Sequence, residues 1–386
     1  MTNFDFYNPT HIIWGSNTIN QLSELVPSEA RVLILYGAES IRGNRTIAEV
    51  REALAYRYIY EFSSVESSPT YENLMKAVSL VRKEKITFLL AVGGQSVIDG
   101  TKFVSAASVY NDDAWRILET RGADIRQAMP FGTIPTLPST GSEMNQSAVI
   151  TSKNSQGKFP FQSSDIFPKF SIVDPSKTYN LSTRQLASGV ADSFIHVIEQ
   201  YFLSPINSKV QDRFAEGILQ TLIEIGPQIL KNSFEYKTYS NLMWTATLGF
   251  RSLVDTRFSQ SWFAYNSIRH ELTNLYGIDH ARALAIILPA YMHLYRDDQR
   301  VKLLQYAKRV WHITEGGEEQ RIDDAIELTR SFFESLGLPT SLIDYHLDID
   351  DIDFIITQLN THNTTRLGKL RDEFLKSSRN LLEVSF

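Results

Sequence analysis

The alternation of short apolar runs with amphipathic segments in the first half of the chain constrains its fold more than any other feature. "RVLILYG" (Arg31 to Gly37), "ITFLLAVGG" (Ile86 to Gly94) and "FGTIPTL" (Phe131 to Leu137) are apolar runs bounded by turn residues, and they read as strands. Between them, "YENLMKAVSLVRKEK" (Tyr71 to Lys85) places Leu74, Ala77, Val78 and Val81 on one helical face. Strands that alternate with helices imply a parallel, doubly wound sheet. Ligands of such sheets bind in the crevice at the carboxyl ends of the strands.

Near Pro175 the pattern changes. "NLSTRQLASGVADSFIHVIEQYF" carries Ser182 with Gln185 three residues later, a capping box that opens a helix. From there on almost every periodic segment is helical, and in "LLQYAKRVWHI" and "IDDAIELTRSFFESLG" the charges mark solvated faces. A chain of 386 residues suits two domains, so the boundary is placed near residue 180: an α/β domain over 1–180 and a helical domain over 181–386.

Composition narrows the chemistry. With 43% hydrophobic and 21% charged residues, and no stretch near the roughly 20 apolar residues that span a bilayer, the expected class is a soluble globular protein without a membrane partner. "MTNFDFYNPTHIIWG" has neither a basic start nor an apolar run, so no secretory signal is expected and the cytoplasm is the expected location. Zero cysteines exclude disulfides, thiolate nucleophiles and thiolate metal sites, so any metal must take nitrogen and oxygen ligands. A net charge of -6 with no basic stripe makes nucleic acid a poor partner.

Two stretches offer nucleotide chemistry. In "AVGGQSVIDGTKF", Gly93 and Gly94 allow close backbone approach, and the helix beginning beyond Ser96 offers free amides and a partial positive charge suited to a pyrophosphate. Asp99 in that helix equally suits its dipole. In "TLPSTGSEMNQSAVI", Thr136, Ser139, Thr140 and Ser142 cluster around Gly141, with Asn145 beyond; this suits a ribose or phosphate, or an ordinary loop.

Two further stretches offer metal chemistry. Asp192 and His196 stand at i and i+4, so both side chains leave one helical face; they read as chelating residues or as a helix ion pair. In "YNSIRHELTNLYGIDH", Asn266 and His270 are also at i and i+4, and Gly277 ends that helix, which leaves His280 in the following loop. "HELTN" is no zinc-protease helix, because Asn274 stands where that motif needs its second histidine.

The order of the glycine-rich turn, "TLPSTGSE", the Asp-x-x-x-His helix and "HELTNLYGIDHARALAIILPA" resembles the group III, iron-containing, alcohol dehydrogenases, nearest their NADPH-dependent aldehyde reductase and butanol dehydrogenase branch. The likeness runs from "FYNPTHIIWG" to "KLLQYAKRVWHITEG". It implies a Rossmann-like dinucleotide-binding domain followed by an all-helical domain, in the dehydroquinate synthase-like arrangement, with the active site between them. It implies a divalent iron or zinc ion held by an aspartate, a histidine four residues later and two histidines fourteen residues apart, which map onto Asp192, His196, Asn266 and His280. His270 maps onto an additional active-site histidine near the nicotinamide, and Lys158 onto a lysine beside the cofactor.

This chain departs from that pattern in three places. Asn266 stands where the family has an imidazole, and a neutral amide is the weaker donor. Gln95 replaces the third glycine of the phosphate turn. After the first strand, Gly37, Ala38, Glu39 and Ser40 replace a glycine run; the Glu39 carboxylate favours a ribose 2′-hydroxyl over a 2′-phosphate, while Arg42, Arg45 and Lys158 oppose it. The cofactor is therefore NADP or NAD. The resemblance implies metal-dependent, reversible reduction of small aldehydes by a homodimer. Its alternatives are an impaired homologue that keeps only cofactor binding, on account of Asn266 and Gln95, and a glycerol dehydrogenase-like enzyme.

Overall fold

The computed structural model describes residues 6–37, 45–138, 140–155, 157–203, 208–231, 235–249, 260–362 and 369–386. These fall into two compact units. One is the chain up to Leu181 together with a later helix, Tyr236–Gly249; the other holds the remaining helices from Thr183 onward.

The first unit is built on a six-stranded, all-parallel sheet. In chain order its strands are β1 (His11–Trp14), β2 (Arg31–Tyr36), β3 (Tyr58–Phe62), β4 (Phe88–Gly93), β5 (Phe131–Pro135) and, after a separate hairpin of β6 (Ser147–Ser152) and β7 (Gly157–Gln162), β8 (Phe170–Val173). The spatial order is β1-β8-β5-β4-β2-β3. The central strands are apolar throughout because helices cover both faces. Leu33, Leu35, Leu89 and Ala91 pack with the Tyr71–Glu84 and Gln95–Val109 helices. Val32, Ile34, Leu90 and Val92 face the opposite layer with Ile19, Leu22, Ile47 and Val50. The expected face of the Tyr71–Glu84 helix is the buried one: Leu74, Ala77, Val78 and Val81.

The strand order reverses between β2 and β4, where Tyr36 pairs with Val92. Gly37 and Gly93 therefore emerge from adjacent strands at the switch point, the crevice that open α/β sheets offer to ligands.

In the helical unit, the capping box forms as expected. The Ser182 amide donates to Gln185 Oε1 (3.0 Å), the Gln185 amide donates to Ser182 Oγ (3.3 Å), and the helix runs Thr183–Leu203. It packs against Lys209–Ile229 and His280–Leu294. The Gln260–Tyr276 helix ends at Gly277, whose φ of 66° is the left-handed conformation that a glycine adopts without strain, and whose amide donates back to Thr273 O at 3.1 Å. His280 lies on a helix rather than in the loop expected after Gly277, because the next helix begins at once. Asp279 is extended and flanks the N-terminus of the next helix, and His280 is that helix's first residue.

Candidate functional site

The metal-type residues meet inside the helical unit. Asp192 and His196 project from adjacent turns of Thr183–Leu203, and His280 joins them from the start of His280–Leu294. One ligand atom from each lies within 4.8 Å of the others. Asp192 Oδ1 is 3.4 Å from His196 Nε2 and 3.2 Å from His280 Nε2. The helix starts are joined by an exposed ion pair in which Arg184 Nε donates to Asp279 Oδ2 (2.8 Å); Asp279 immediately precedes His280, and Arg184 lies about two turns before Asp192.

The negative charge of Asp192 favours a cation beside it: a proton on His196 in the metal-free protein, which a bound metal ion would have to displace. Burial alone would lower the His196 ring, but the charge and hydrogen bond of Asp192, with Glu199 behind it, outweigh burial and push it up to about 10. The two histidines in turn outweigh burial at Asp192 and hold its carboxyl well below the usual range. His280 goes the other way: desolvation and then the Arg269 charge push it down to about 4, so it is neutral near pH 7, as a ligand must be. His196 Nδ1 faces Glu199 Oε2 at 3.3 Å, which turns Nε2 toward Asp192. Side-chain exposure is 10% for Asp192, 13% for His196 and 41% for His280, so the cluster opens to solvent on the His280 side. A divalent iron or zinc ion fits a carboxylate and two imidazoles that already converge, one of them oriented by a carboxylate.

Asn266, Arg269 and His270 share the Gln260–Tyr276 helix. Asn266 is half-buried one turn before His270. Arg269 escaped the sequence reading, although it lies at i+3 from Asn266. Its Nη1 is 2.6 Å from His280 Nδ1 and 2.9 Å from Nε2, and its Nη2 donates to His270 Nε2 at 2.8 Å. A guanidinium only donates, so His270 Nε2 accepts and a neutral ring carries its proton on Nδ1.

The nucleotide-type residues gather in the α/β unit at the carboxyl ends of β2, β4 and β5. Gly37 follows β2; Gly93 ends β4 and Gly94 precedes the Gln95–Val109 helix, where no side chain caps the first amides. Gln95 and Ser96 open that helix, and Ser96 Oγ is turned back onto Ser67 O. An uncapped N-terminus of a 15-residue helix at the switch point suits a pyrophosphate. Thr136 follows β5, its amide donating to Gly93 O at 3.1 Å. Thr140 is buried, and its hydroxyl has no partner among the described residues. Lys158 lies exposed on β7 opposite Thr151. Glu39, Ser40 and Arg42, and Ser139 of the hydroxyl cluster, lie outside the described residues.

Asp99 and Asn145 are engaged inside this loop. Asp99 accepts from Ser142 Oγ (2.6 Å) and from the Val149 amide (3.0 Å). Asn145 accepts from Lys102 and donates to Gly141 O (3.1 Å). Lys102, one turn after Asp99 and unnoticed in the sequence, is fully buried and donates to Ser142 Oγ, Asn145 Oδ1 and Ser147 O at 2.8–2.9 Å. Gly141 has a φ of 63°, and a Cβ there would meet Thr247 O at 2.6 Å, so only glycine lets this loop pass the Tyr236–Gly249 helix.

Comparison with known proteins identifies the family of this chain. Residues 9–175 match the family described as iron-containing alcohol dehydrogenase, and residues 186–368 match its C-terminal family. The NADPH-dependent aldehyde reductase YqhD of Escherichia coli is 48% identical over 100% of both chains. The substrate- and cofactor-free structure of that reductase superposes with a TM-score of 0.91 at 46% identity, covering 100% of each chain. The NADH-dependent butanol dehydrogenase A of Thermotoga maritima superposes at 0.87 with 31% identity, over 100% of this chain and 99% of that one. The chain belongs to the iron-containing alcohol dehydrogenase family, with a Rossmann-like N-terminal domain and a helical C-terminal domain.

Proposed function

We propose that this chain reversibly reduces small aldehydes to primary alcohols with NADPH or NADH, and that Asp192, His196 and His280 hold a divalent iron or zinc ion, with Asn266 as a weak fourth donor. The observation that carries this reading is the convergence of three ligand atoms within 4.8 Å in a member of this family. When bound, the nicotinamide supplies the hydride and the metal ion polarises the carbonyl oxygen as a Lewis acid.

The protein's own groups then do the rest. Asp192 supplies the negative charge that holds the cation, and Glu199 fixes the His196 ring that carries it. His270 relays a proton between the product oxygen and solvent, and the proton it has to give sits on Nδ1 while Arg269 occupies Nε2. Gly37, Gly93, Gly94, Gln95 and Ser96 form the crevice for the dinucleotide, with Glu39 and Ser40 at the ribose. Thr136, Thr140 and Lys158 supply polar contacts to it, while Asp99 and Asn145 hold the loop in shape through Lys102 and Ser142. The domain boundary falls near residue 180, and the working form is a cytoplasmic homodimer without nucleic-acid or membrane partners; among the described residues no helix is long and apolar enough to cross a membrane.

The test is aldehyde-dependent oxidation of NADPH and NADH by the purified protein supplied with Fe²⁺ or Zn²⁺, with butanal as substrate. Turnover with at least one nucleotide is expected. None with either, in a protein carrying one metal per chain, would leave the impaired homologue, the reading that the Arg269 contacts to His280 and His270 favour.

A further inference from the structure

Arg269 occupies the same donors that a metal requires. A neutral imidazole has one N–H and one lone pair. Nε2 of His280 faces the carboxylate of Asp192 at 3.2 Å and suits the N–H; Nδ1 faces Arg269 Nη1 at 2.6 Å and must accept. If the ring took the other tautomer, Nη1 would still be 2.9 Å from the accepting Nε2. In either tautomer the lone pair is spent on the guanidinium. A cation ligated by this ring would also stand within a few ångströms of a fixed positive charge in a half-buried site, where screening is weak.

We propose that Arg269 competes with the divalent cation for His280, so that the guanidinium must leave the ring before metal can bind there. The proposal rests on the assignment of Asp192, His196 and His280 to the metal. Two features make such a departure feasible. Arg269 Nε has no partner among the described residues, so the described hydrogen bonds of the guanidinium run to His280 and His270 alone. His280 is also the most exposed of the three residues, at 41%, so water can take over the hydrogen bond that the guanidinium gives up. Without metal, the guanidinium balances the charges of Asp192 and Glu199; with metal, that charge is supplied twice. The chain therefore binds metal weakly and exchangeably. Because the same guanidinium donates to His270 Nε2, loading the metal also frees that nitrogen, coupling metal occupancy to the group that handles the proton.

The test measures Co²⁺ affinity of the whole, metal-stripped protein by equilibrium dialysis with metal analysis, without any activity assay. Arg269→Met and Arg269→Gln each remove the charge and return the lone pair to His280, and the Kd is expected to fall at least about tenfold, the scale on which groups around metal ligands act. Asp192→Asn, alone and combined with each, is expected to abolish this binding. Unchanged affinity in the Arg269 variants, with binding still dependent on Asp192, would overturn the competition and leave the metal site standing. Binding that survives Asp192→Asn would overturn the site assignment itself. Should neither variant fold, crystals of the unaltered protein grown with Zn²⁺ decide the matter. Zn²⁺ on His280 with Arg269 withdrawn supports the proposal; Zn²⁺ on His280 with the guanidinium still hydrogen-bonded to that ring contradicts it.

Discussion

Asp192 Oδ1 lies 3.2 Å from His280 Nε2, joining two helices through the same carboxylate that also meets His196. Negative charge shared between two imidazoles is the organising element of the helical unit's site. Asp192→Asn keeps the shape and removes the charge, so metal content is expected to fall below one-tenth of the unaltered protein's. Aldehyde reduction should drop by more than about 100-fold, beyond the cost of losing a group that merely orients a ligand. Metal analysis alongside NAD(P)H oxidation checks both.

Asn266→His adds an imidazole one turn before His270. Metal affinity is expected to rise by roughly tenfold or more, since imidazole outranks an amide oxygen toward iron or zinc. Metal retained per chain after dialysis reads this directly, and no gain would remove Asn266 from the ligand set.

Lys102 is a stability determinant with a pH signature. Burial, only partly offset by Asp99 and Glu143, pushes its ammonium down from 10.5 to about 8. Between those values the unfolded chain binds the proton more fully than the folded one, so the cost of burying the charge fades as pH rises. Relative to Lys102→Met, the unaltered protein should therefore gain stability from about pH 8 to 10.5. At neutral pH the variant, which removes the positive charge beside Asp99 and leaves Ser142 Oγ, Asn145 Oδ1 and Ser147 O without their donor, is expected to be less stable by about 3 kcal/mol. Urea unfolding across that range checks the sign and the size.

Much of this was legible in the sequence because it is local. The strands at β2, β4 and β5 and the buried face of Tyr71–Glu84 follow from apolar runs and helical spacing, and the Asp192/His196 pair follows from i, i+4 geometry. His280 reached the site only through family resemblance, since helix packing rather than spacing brings it to Asp192. Arg269 was missed for the same reason: its partner ring belongs to the next helix. Asp99 looked like a dipole partner because the loop that encloses it folds back from Ser142 and Val149. The β6/β7 hairpin also went unread, lying among turn residues between the two better patterns.

We propose that Glu39, two residues after Gly37 in the sequence, biases cofactor choice: a carboxylate there would disfavour a 2′-phosphate, so Glu39→Gly should move the ratio of kcat/KM for NADPH over NADH upward, by about tenfold for one removed like charge. Steady-state rates with both nucleotides check this, and an unchanged ratio would clear Glu39 of the role.

Under the proposed function, aldehyde reduction needs a divalent ion at Asp192, His196 and His280, a requirement that can be tested on the whole protein. It is tested most directly by stripping the purified protein with a strong chelator, then restoring Fe²⁺ or Zn²⁺ while following NAD(P)H oxidation with butanal. Turnover lost on stripping and regained in proportion to metal bound is the predicted result; turnover that survives complete removal of metal would contradict it.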